Sequence, residues 1–143
     1  MAKYMYLLNS DVRNFVEYQI RYFPENKRQL ESMKTDRIPS AIPKYGPQAG
    51  GSFNSEARPS EETAIRIMSD RYIMQLEYTV KSIDSVLNKL NDLDMELIRL
   101  KYWNGSLTPE GIAMKLHMSR ATVYNRLNNI LVEIARRLGY IDI

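Results

Sequence analysis

Between residues 119 and 128 the chain sets out Ser119, Arg120, Ala121, Thr122, Tyr124, Asn125, Arg126 and Asn128, with no acid among them. Arginine and asparagine can pair with a base edge through two hydrogen bonds. A hydroxyl can bond a phosphate, and a methyl group can rest on thymine. At 100° per residue, Val123 and Leu127 make an apolar edge, and Asn125 and Arg120 are expected opposite it. Few apolar residues are left on the outer face, which favours DNA over an ordinary helical hairpin of the same periodicity. Lys115 and Arg136 lie to either side and are expected to hold phosphates.

Such a face needs elements to present it. Leu107 to Leu127, LTPEGIAMKLHMSRATVYNRL, reads as two short helices and a tight turn. Thr108 can cap the first helix and Pro109 suits its first position. Ile112 and Leu116 share one face, and the small Ala113 lets a partner helix cross closely. His117 and Met118 make the turn, and Ser119 caps the second helix. A helix-turn-helix of this form can place its second helix in the major groove. Ile130, Leu131, Ile134 and Leu138 carry that helix onward until Gly139 stops it.

The segment SRATVYNRLNNIL resembles the recognition helix of sigma-70 region 4, and LNDLDMELIRLKYWNGSLTPEGIAMKL resembles the helices that lead into it. The resemblance covers Leu90 to Leu138. The order of the remainder is similar to the RinA/ArpU type of phage transcriptional regulator: N-terminal helices, a linker, a long helix, then a sigma-like module. It implies that Tyr102 and Trp103 anchor the core. Two residues depart from the pattern. His117 stands where glycine is common, because that turn residue often has positive φ. Gly111 falls inside a helix, where it costs about 1 kcal/mol against alanine.

Composition narrows the function further. The net charge is +3, but Ile98 to Tyr140 holds seven cations (Arg99, Lys101, Lys115, Arg120, Arg126, Arg136 and Arg137). Against them stand only Glu110 and Glu133, so that stretch carries 7 − 2 = +5. A basic terminal module fits a nucleic-acid surface. There is no cysteine and one histidine, hence no disulfide framework, thiol nucleophile or zinc-finger spacing. Asp92 with Asp94, and Glu61 with Glu62, read as acids at helix starts. Nothing points to a metal, a cofactor or catalysis, and the expectation is a non-enzyme. No apolar run reaches signal-peptide or membrane-span length, which predicts a soluble, intracellular protein; the resemblance to phage regulators implies the cytoplasm of a bacterial host.

The rest of the chain divides by composition. Residues 1–37 read as an N-terminal helical segment, with Ser10 or Asp11 as a cap and Pro24 bending the path or opening a second helix. Tyr4, Tyr6, Tyr18, Tyr22 and Phe23 are expected to pack on another helix or subunit. Residues 38–59 form a linker rich in proline and glycine, among them Pro39, Pro43, Pro47, Pro59, Gly46, Gly50 and Gly51, with Tyr45 and Phe53 able to rest on a surface. Residues 60–91 read as a long helix capped by Ser60. Ile73, Leu76, Val80, Ile83, Leu87 and Leu90 form a seam that either packs within the chain or pairs two copies. Ile65 and Met68 fall one residue out of that seam, which suggests a change of contact near Tyr72. Residues 92–143 are the helix-turn-helix module. Ser60 to Ile143 holds its own caps, seam and the single tryptophan, and is expected to fold without the N-terminal half.

The fold is therefore expected to be all-α. The function expected is sequence-specific binding of double-stranded DNA in transcription control, and the resemblance implies a phage or prophage late-gene activator. A DNA-packaging or replication accessory protein, or a protein that docks on RNA polymerase, are the other readings. RNA polymerase is a second expected partner and a homodimer the expected state.

Overall fold

The computed structural model describes residues 7–40, 61–105 and 107–141, with the backbone alone for 36–40. The linker core, Ser60, Tyr4, Tyr6, Tyr45 and Phe53 lie outside the described residues. The described residues form helices and no strand. These are α1 (Ser10–Arg21), α2 (Phe23–Ser40), α3 (Glu61–Leu87), α4 (Asp92–Ile98), a π-helical continuation (Arg99–Trp103), α5 (Pro109–Leu116) and α6 (Arg120–Leu138). None is long and apolar enough to cross a membrane.

Helix starts follow side-chain chemistry. Asn9 caps α1, its side chain accepting from the Val12 amide at 2.9 Å, in place of the expected Ser10 or Asp11. Asn91 caps α4 through the Asp94 amide at 2.8 Å. Phe23 and Pro24 open α2, which runs on to Ser40, so the first residues assigned to the linker are helical. Proline costs no hydrogen bond in a first turn, which is why the second of the two expectations for Pro24 holds.

The chain divides into two compact units, residues 1–24 with 79–143 and residues 25–78. In the second unit Leu30, Ile73 and Leu76 are buried, and Lys34 bonds Glu77 at 2.7 Å. Ile65, Met68 and Tyr72 on α3 are exposed. In the first unit Val80, Ile83 and Leu87 are buried. The seam of α3 is therefore covered within one chain.

The expectation of a separate N-terminal helical segment is overturned. Helix α1 packs on α6 and on the π-helical stretch, and Val16 and Ile20 are completely buried. Polar contacts fix the junction. The Tyr102 hydroxyl donates to Glu17 at 2.7 Å, and the Trp103 indole donates to the Ile20 carbonyl at 2.9 Å. Phe23 stacks on Trp103 and Phe15 meets Tyr140 edge-on. An amphipathic helix this short needs a partner surface to be stable. Helix α6 and the π-helical stretch provide it. Tyr18 and Tyr22, expected to pack on another helix or subunit, lie against each other and remain substantially exposed within the single chain.

The π-helical turn has no counterpart in the expected pattern. The Asn104 amide reaches back five residues to the Arg99 carbonyl at 2.6 Å. That extra residue per turn rotates the chain beyond it, within a stretch whose Tyr102 and Trp103 both meet α1. Gly105 comes next with φ +99°, the conformation expected of it.

Candidate nucleic-acid interface

Two helices joined by a three-residue turn carry the candidate site. Thr108 caps α5 by accepting from the Gly111 amide at 3.0 Å, and Pro109 occupies its first turn. His117 ends it with φ 57° and ψ 46°, the one non-glycine residue of positive φ among those described. Its amide and that of Met118 both return to the Ala113 carbonyl. A left-handed residue reverses the chain sharply enough for α6 to start three residues later. Ser119 caps α6 through the Thr122 amide at 3.1 Å, and its hydroxyl also meets that of Thr122 at 2.8 Å.

Packing sets which side of α6 faces out. Ile112 and Ala113 on α5 are buried, as are Val123 and Leu127 on α6. From Ile130 onward α6 is buried on several sides, through Leu131, Val132, Ile134, Ala135 and Leu138. Only its first two turns are widely open. There Arg120, Ala121, Thr122, Tyr124 and Asn125 are all exposed. Asn125 falls opposite Val123 and Leu127 by the 100° step. Arg120 does not, contrary to expectation. It leans toward α5, where its guanidinium lies 3.4 Å from Glu110. The Tyr124 hydroxyl donates to the same carboxylate oxygen at 3.2 Å.

Three residues grouped with this face are placed elsewhere. Arg126 turns inward and bonds Asp94 at 2.8 Å, tying α6 to the first turn of α4. Asn128 is half-buried. Arg136 is paired with Glu133 at 2.9 Å, and sixteen residues at 1.5 Å put it about 24 Å along the axis from Arg120. Lys115, in the last turn of α5, is exposed.

Electrostatics change accordingly. Of the seven cations counted between Ile98 and Tyr140, Arg99, Arg120, Arg126 and Arg136 each face an acid within 3.4 Å. Asp94 and Glu96 lie just outside the stretch over which the charge of +5 is summed. The field at this face is weaker than the sequence count suggests. Among the described residues no group of three or more histidine, cysteine or acidic side chains is placed to hold a metal.

The profile of a family described as a protein of unknown function, DUF722, matches residues 16–136. The chain belongs to the DUF722 family. The matched stretch runs from inside α1 to near the end of α6. The DUF722 pattern thus includes the N-terminal helix together with the helix pair, which fold into one unit here. No curated protein and no solved structure matches the chain.

Proposed function

We propose that this DUF722 protein is a sequence-specific DNA-binding regulator of transcription, with α5 and α6 acting as a sigma region 4-like helix-turn-helix. One observation carries the reading. The first two turns of α6 project Arg120, Ala121, Thr122, Tyr124 and Asn125 into solvent, while the rest of the helix is anchored in the core. A recognition helix needs this division, because hydrogen bonds to bases require a rigid support. The likeness of Leu90–Leu138 to sigma region 4 supports the same assignment, and the RinA/ArpU-like order supports a phage or prophage activator in a bacterial cytoplasm. The chain is then a binding protein and not an enzyme. Because the α3 seam is covered within one chain, a homodimer would use another surface, and sedimentation of the full chain reads its state.

Asn125 and Thr122 read base edges in this proposal, alongside Arg120 and Tyr124, with Lys115 on phosphate. A site selected from random duplexes, followed by competition binding, tests it. Asn125→Ala should cost about 1–3 kcal/mol on the selected site and relax preference at one or two base pairs. Lys115→Ala should weaken every duplex alike and flatten the salt dependence. Equal losses on selected and random DNA from both variants would sink base reading. They would favour a packaging role or docking on RNA polymerase, which pull-down of the polymerase and light scattering for a ring then separate.

A further inference from the structure

Glu110 is the acid that meets the exposed face of α6. It sits in the first turn of α5, where a negative charge is favoured by the helix end. One of its oxygens receives both the Tyr124 hydroxyl at 3.2 Å and the Arg120 guanidinium at 3.4 Å. The guanidinium also lies 5.9 Å from the centre of the Tyr124 ring. The Arg120 and Glu110 side chains are 66% and 48% exposed. A pair this open contributes little to the fold. It is weak enough to exchange partners when a ligand arrives.

We propose that Glu110 is a specificity-determining residue that competes with DNA phosphate for Arg120 and Tyr124. The inference rests on the DNA reading above and deepens it. On a random duplex, Arg120 can leave Glu110 for a phosphate only by stranding the carboxylate beside a polyanion with no donor. On a matching site a guanine edge takes Arg120, and the amino group of a neighbouring cytosine or adenine donates to Glu110. Both partners of the broken pair are then satisfied. The carboxylate thus weakens binding to wrong sequences more than to the right one, which is how repulsive groups create selectivity.

The test uses the full chain with the selected site and a random duplex, comparing wild type, Glu110→Gln, Arg120→Ala and the double variant. Glu110→Gln should bind random DNA about two- to fivefold more tightly, with a salt slope steeper by about one. Its affinity for the selected site should stay level or fall, so the ratio between the two drops. In the Arg120→Ala background the gain on random DNA should shrink, and unchanged melting of each variant controls for folding. Equal tightening on both duplexes, or a gain that persists without Arg120, would overturn the role of Glu110 while leaving DNA reading intact. Failure of the wild type to bind any duplex would overturn the DNA reading itself, and this role with it.

Discussion

Ile20 lies completely buried on α1 where that helix meets the C-terminal helices, and its carbonyl accepts the Trp103 indole. Replacing it with alanine removes three carbons, a transfer loss of about 2.4 kcal/mol at 0.8 per group. The hole left between two packed helices adds about 1.5 kcal/mol where it cannot collapse. The sum of about 4 kcal/mol is a large share of the roughly 5–15 kcal/mol that holds a domain folded. Urea melts followed by circular dichroism and by fluorescence of Trp103, the single tryptophan, give the assay. Both signals should shift together, and the thermal midpoint should fall by more than about 10 °C. A chain starting at Ser60 lacks Val16, Ile20 and Phe23 altogether and should lose cooperative melting. The reasoning is refuted if Trp103 keeps its wild-type transition in Ile20→Ala, or if the shortened chain melts cooperatively near the wild-type midpoint. In either case α1 would be an appendage and not part of the core.

Single residues give three further outcomes. Burial, with the Glu17 carboxylate bonded to the hydroxyl, holds the Tyr102 phenol far above its usual range near 10.0. Below that pH both folded and unfolded chains keep the proton. Above it only the unfolded chain loses it, so stability should fall with rising pH by up to about 1.4 kcal/mol per pH unit. Urea midpoints across this alkaline range should show a shallower fall in Tyr102→Phe. His117→Gly relieves a left-handed histidine and should raise stability by up to about 1 kcal/mol in a thermal melt. Gly111→Ala should stabilise by about 0.4–1 kcal/mol, because the added carbon would meet only Thr108 and Leu107 at 3.4 Å and beyond; a lower midpoint would contradict this.

The features legible in the sequence are those that local chemistry decides. Thr108 and Ser119 cap their helices because a short polar side chain before an apolar stripe has one good use there. The left-handed turn at His117 and the stop at Gly139 obey the same kind of rule. The features that were not legible depend on partners far along the chain. The stripe of α1 shows that it needs a surface, but not that α6 and Tyr102 supply it across more than eighty positions. A π turn is defined by backbone bonds and leaves no side-chain signature at Arg99–Trp103. Arg126 and Arg120 look equivalent in a list of cations. Only the neighbouring helices reveal that one braces Asp94 and the other meets Glu110.

Helix α6 is one uninterrupted rod whose two ends have different duties. Its far end is gripped by the core, and its near end carries the exposed polar side chains. Over about 24 Å, a tilt of 5° at the gripped end moves Arg120 by about 2 Å. That displacement is more than the whole range of acceptable hydrogen-bond lengths. The rod is therefore a lever with its fulcrum against α1. Repacking Val16 or Ile20 would retune the exposed tip without touching any residue there. On the proposed DNA reading, changes in sequence preference among relatives of this chain should accordingly be sought in the N-terminal helix as well as at the tip.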